Sequence, residues 1–218
     1  MGVKPRYWRH SALRGQRPTS ILTGCTMFSH VKSPGIGLAL VFAAALAACG
    51  DPNLLPPATI SIREDTLTLW ALTGTPILRP SAFDILRQTP ARTDRTSEFD
   101  LVFDFRPDSL GDTVAVLIPR GGFGLSGDAG LLRLVANYDT LRLAPAEGYE
   151  FQKPVAFDPE VVVVARSRLQ TCNFGLQYGL YVKFQMIEVN RAERWVRLRM
   201  NLDPNCGYRG LAPGIPSN

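Results

Sequence analysis

Beyond residue 57 the chain offers no amphipathic helix. No segment carries an apolar stripe of ten or more residues at helical spacing, and the 13 glycines and 11 prolines after residue 57 recur too often to leave room for one. Alternation with period two takes its place. Phe99, Leu101, Phe103 and Phe105 alternate with Asp100, Val102 and Asp104, the pattern of a strand with one dry and one wet face. The chain is thereby restricted to sheets.

Short strands follow one another with turn residues between them. Ile60 and Ile62, then Leu67 and Leu69, predict two strands joined by a turn at Arg63-Glu64-Asp65. Thr113 to Ile118 reads as a strand stopped by Pro119 and the Gly121-Gly122 turn. Leu131 to Val135 and Thr140 to Leu143 read as a hairpin around Asn137-Tyr138-Asp139. Glu160 to Ser167, with four successive valines, reads as a central strand. Tyr181 to Val189 and Arg194 to Leu202 bracket Asn190-Arg191-Ala192-Glu193 as a four-residue hairpin loop. The expected fold is all-β, an antiparallel β-sandwich immunoglobulin-like in general shape, with a small β-barrel as the alternative. Expected core positions are Ile60, Leu69, Phe103, Phe105, Val162, Val164, Phe184, Met186, Leu198 and Met200.

The N-terminal part has a different composition. Lys32 precedes a 12-residue uncharged run, Ile36 to Ala47, which ends in Leu46-Ala47-Ala48-Cys49-Gly50. As a helix that run spans about 18 Å, short of a hydrocarbon core of ~30 Å. Leu-Ala-Ala-Cys resembles the lipobox of bacterial lipoproteins, over roughly residues 27–50. The resemblance implies that the Cys49 sulfur carries a diacylglyceryl group, that the chain is cut before Cys49, and that the new amine is acylated. Several acyl chains make a lasting anchor, since each buried methylene contributes ~0.8 kcal/mol. Residues 27–48 are then the signal peptide, and 49–57 the lipidated tether. Residues 58–211 form the domain, with 212–218 as a tail. Residues 1–26 read as a misassigned start or an extended leader, because Met27 opens a signal of ordinary length. In bacteria with two membranes, Asp directly after the lipidated Cys favours inner-membrane retention. That position is Gly50 here, with Asp51 one later, so the outer membrane is the expected address.

Cleavage reverses the charge argument. Of 24 Lys and Arg, six lie before residue 49 with no acid beside them, which leaves 18 cations against 19 acids. The basic balance belongs to the leader, so no nucleic-acid partner is expected. Both histidines, His10 and His30, precede the cut as well. Ser-His-Asp and Cys-His catalysis, and imidazole metal sites, are thereby excluded from the domain, and no cofactor or metal is expected. Cys172 and Cys206 remain as an even pair in an oxidising compartment and read as a disulfide closing the approach to the last hairpin.

Three groups of residues bear on function. Asp100, Asp104, Asp108 and Asp112 recur every four residues, yet match no calcium loop; a solvated strand face followed by a turn is the plainer reading. Residues 159–218 carry eight cations against four acids, the reverse of the preceding part. In the last strand, Trp195, Arg197 and Arg199 share the face opposite Val196, Leu198 and Met200. With Tyr178, Tyr181 and Tyr208 they outline an aromatic and cationic binding face. The expected function is a non-catalytic binding or interaction module, not an enzyme, held to a membrane by lipid and facing an envelope protein or glycan. The alternative is a carboxylate-based hydrolase of envelope glycans, which requires two carboxyl groups about 5–9.5 Å apart.

Overall fold

The computed structural model describes residues 55–172 and 175–216; Cys49 and the signal segment lie outside them. Twelve strands follow in order: β1 (Glu64–Trp70), β2 (Ala82–Asp84), β3 (Thr89–Ala91), β4 (Leu101–Pro107), β5 (Thr113–Pro119), β6 (Gly130–Leu134), β7 (Val155–Ala156), β8 (Val162–Arg166), β9 (Gln170–Thr171), β10 (Gln177–Tyr178), β11 (Tyr181–Asn190) and β12 (Trp195–Asp203). A 3-10 turn spans Arg120–Phe123. The first sheet has the order β1-β12-β11-β8-β6, the second β3-β2-β4-β5-β7, and β9 with β10 forms a small third sheet. Every pairing between the strands is antiparallel. The all-β, antiparallel expectation is borne out.

Both five-stranded sheets contribute to one apolar cluster. Leu67, Leu69, Val163, Phe184 and Leu198 come from the first, and Phe83, Leu101, Phe103, Phe105 and Leu117 from the second. Phe83 meets Phe184 edge to face with centroids 6.0 Å apart. Each such side chain, fully buried, contributes about 2 kcal/mol. The outer faces are covered too. Val162 and Val164 point into a second cluster with Tyr138, Ala144, Tyr149 and Leu211, and Val102 into a third with Phe99, Ala82 and Ala91. A strand dry on both faces needs no polar alternation, which accounts for the valine run.

The long hairpin forms as expected, with its loop one residue later, at Arg191 to Arg194, and a bulge between Met186 and Glu188. The disulfide joins Cys172 to Cys206, Cα atoms 6.1 Å apart, and fastens the β9–β10 turn to the loop after β12.

Two expectations need correction. Ile60 and Ile62 do not form a strand. Asn205 takes the N–H groups of Thr59 and Ile60 on its side-chain oxygen, each at 3.0 Å, and Ile60 is left 53% exposed rather than in the core. Thr140 to Leu143 is not a hairpin arm. The Lys183 amine, carried on β11, donates to the carbonyl oxygens of Tyr138 at 2.6 Å and Leu141 at 3.0 Å and curls the segment into a loop. Past Leu211, Gly214 exchanges both backbone hydrogen bonds with Ile62.

Candidate interaction face

The outer face of the first sheet is built by alternation along β1 and β12. Leu67 and Leu69 turn inward against Leu198 and Val196, so Thr66, Thr68 and Trp70 turn outward beside Arg199, Arg197 and Trp195. Trp70 and Trp195 are direct cross-strand partners. Such aromatic pairs stabilise a sheet by about 0.2–1 kcal/mol. The Arg79 guanidinium lies 4.8 Å from the Trp70 ring centroid, and Arg197 lies 5.7 Å from that of Trp195. Arg197 also pairs with Glu188 at 3.3 Å, both about half exposed, and Trp195 Nε1 donates to Glu193 at 2.9 Å. Beside Trp70 a cleft of about 330 Å³ is lined by Leu72, Thr75, Ile77, Arg79 and Asp94 among others.

The residues expected on this face are brought together only in part. Trp195 and Arg197 stand at the surface. Arg199 is drawn under the 137–141 loop, 3.9 Å from the Tyr138 ring centroid, with its Nε on Gln185 at 2.9 Å and an ion pair to Asp139 at 3.3 Å. The tyrosines do not join it. Tyr208 is buried and bonds Pro56 and Ala58, while Tyr181, at the far end of β11, packs near Tyr149. Trp70 and Arg79 are additions that the sequence did not reveal. Trp70 follows Leu69 in plain alternation, but its partner is identified only by the β1–β12 register.

The aspartates behave unlike a solvated face. Asp100 and Asp104 are buried, and they belong to two ionic seams between the sheets. In the first, Arg168, just after β8, reaches Asp84 at 2.9 Å and Asp100 at 3.6 Å, with all three side chains buried. Asp100 also accepts the backbone N–H groups of Ile85 and Arg168, each at 2.7 Å. Burial nevertheless pushes the Asp100 carboxyl above the usual carboxylate range, against the pull of Arg168. In the second seam, Asp104 accepts from the Thr73 N–H at 3.1 Å and Arg106 at 3.0 Å, with Arg194 of the hairpin loop at 3.8 Å. Arg191 and Arg194 lie 5.7 and 5.2 Å from the Phe105 ring centroid.

Asp108 and Asp112 form a loop, with Asp108 Oδ1 accepting the N–H groups of Leu110 and Asp112. No cluster of three or more His, Cys, Asp or Glu side chains suited to a metal ion is present among the described residues. The chain matches no protein-family model, no curated protein and no solved structure.

Proposed function

We propose that the chain is a lipid-anchored envelope protein whose β domain is a non-catalytic binding module, reading an envelope protein or glycan through the Trp70–Trp195 face. The apolar core shared by the two five-stranded sheets supports a sandwich, immunoglobulin-like in general shape, as the scaffold. The lipobox, Leu46 to Cys49, supports the anchor, and Gly50 after it supports the outer membrane.

The observation that carries the binding role is the cross-strand Trp70–Trp195 pair, incompletely buried on a sheet face and flanked by Arg79 and Arg197. Tryptophan and arginine dominate the energetics of binding surfaces because they combine large contact area with polar reach. The hydrolase reading finds its two buried carboxylates in Asp84 and Asp100, but their oxygens are taken up by Arg168, Arg87 and backbone N–H groups, which supports a structural role.

Replacing Trp70 and Trp195 together by Ser in the full-length chain is expected to cut recovery of cross-linked partner from intact cells. The melting temperature should change only slightly. Unchanged recovery with the fold retained would remove this face as the binding surface. Alkyne-palmitate labelling that is lost in Cys49→Ser checks the anchor.

A further inference from the structure

The first sheet has two unlike ends. By register, Glu64 of β1, Asp203 of β12, Tyr181 of β11, Arg166 of β8 and Gly130 of β6 lie toward one end, and Trp70 and Trp195 mark the other. At the Asp203 end four segments are tied together. Ile62 pairs with Gly214, Ala144 N–H donates to the Arg209 carbonyl, Leu211 N–H donates to that of Arg142, and the disulfide brings in Cys172.

Five exposed aliphatic side chains sit on these segments: Ile60, Leu143, Leu169, Leu176 and Ile215, each 40% to 63% exposed. Arg63, Arg142 and Arg209 stand among them, and none makes an ion pair among the described residues. Exposed apolar residues such as Leu78, Leu110 and Val135 also occur elsewhere on the surface; this end is set apart by combining five of them with three arginines, of which Arg209 donates to the Ala144 carbonyl at 3.2 Å.

The chain also enters the domain at this end. Tyr208 donates to the Pro56 carbonyl at 3.0 Å and accepts the Ala58 N–H at 3.1 Å, and Asn205 holds Thr59 and Ile60. Seven residues, 49–55, run from the lipobox cysteine to this point. Fully extended they reach about 25 Å. A tether of that length keeps the entry end within about 25 Å of the surface that holds the lipid.

We propose that this end rests on the bilayer, with Ile60, Leu143, Leu176 and Ile215 entering the headgroup region and Arg63, Arg142 and Arg209 facing anionic headgroups. Interfacial apolar side chains with basic flanks bind membranes in this way, at a depth of about 5–10 Å. β12, nine residues long, then carries Trp195 outward by about 27 Å at strand rise. The Trp70–Trp195 face is presented away from the membrane that bears the anchor. This orientation rests on lipidation of Cys49.

The test uses the full-length chain in membranes of an expressing bacterium. A benzophenone side chain is introduced singly at Ile60, Leu176 or Ile215, and at Leu78 or Val135 toward the opposite end, all exposed positions. Mass spectrometry first reads the diacylglyceryl group on Cys49. Irradiation is expected to give lipid adducts at the first three positions and to lose them at the other two. With lipid present on Cys49, protein adducts or no adducts at the first three overturn the orientation and leave the anchor standing. Absence of the lipid overturns the anchor and the orientation with it.

Discussion

The two ionic seams do the same task under different conditions. Each joins a carboxylate of the second sheet to guanidinium groups, at least one of them from a segment of the first. At Arg168, the cation and both acids are buried, with 7%, 2% and 1% of their side chains exposed. At Asp104 only the acid is buried, while Arg106 and Arg194 remain 48% and 30% exposed. The contrast teaches that a short distance is a poor measure of what a charge pair contributes. In the first seam neither partner can turn to water if the other is lost; in the second the cations can.

That contrast is open to direct attack. Arg168→Met in the full-length chain leaves Asp100 with backbone N–H groups alone and Asp84 with only the exposed Arg87, and should cost about 3–5 kcal/mol, measured by urea unfolding. Removing the Cys172–Cys206 bond, which lies at the same end of the first sheet as Arg168, should cost somewhat less, about 2–4 kcal/mol for a 34-residue separation. Arg194→Ala should cost about 1 kcal/mol, because Asp104 keeps Arg106 and Thr73 and the freed charge was already wet. A loss at Arg194 equal to that at Arg168 would break the comparison.

The smallest effect sharpens it. Because burial raises the Asp100 carboxyl in the folded protein, its proton binds more tightly there than in the unfolded chain. This contribution to stability is complete below the ordinary carboxylate pKa and is lost as pH rises through the raised one. The stability difference between wild type and Asp100→Asn should therefore widen as pH falls from neutral toward 4, in paired urea titrations. A difference that narrows would mean that Arg168 outweighs burial.

These seams also mark where sequence reading stopped. The long hairpin was legible because two arms of ten and nine residues alternate in phase, and only its own pairing was needed. The central position of β8 was legible because four valines have no wet side. Asp100 was misread because alternation says which residues share a face, not whether that face meets water. The group that dries and partners it, Arg168, lies 68 residues away. Ile60 failed for a related reason: the Asn205 side chain, 145 residues on, replaces the strand partner its backbone would otherwise need. Trp195 and Arg197 were visible from one strand's pattern. Trp70 required the register of two.

Lys183 carries a consequence of its own. Its amine is the positive point on which the carbonyl oxygens of Tyr138 and Leu141 converge, with the Tyr138 ring 4.1 Å away. Loops that wrap a bound ion use the same device, but their order follows the concentration of that ion. Here the cation is part of the chain, so chelators and changes in surrounding salt have nothing to remove. Burial lowers the pKa of this amine, which leaves alkaline pH as the condition that takes away the charge and releases the loop.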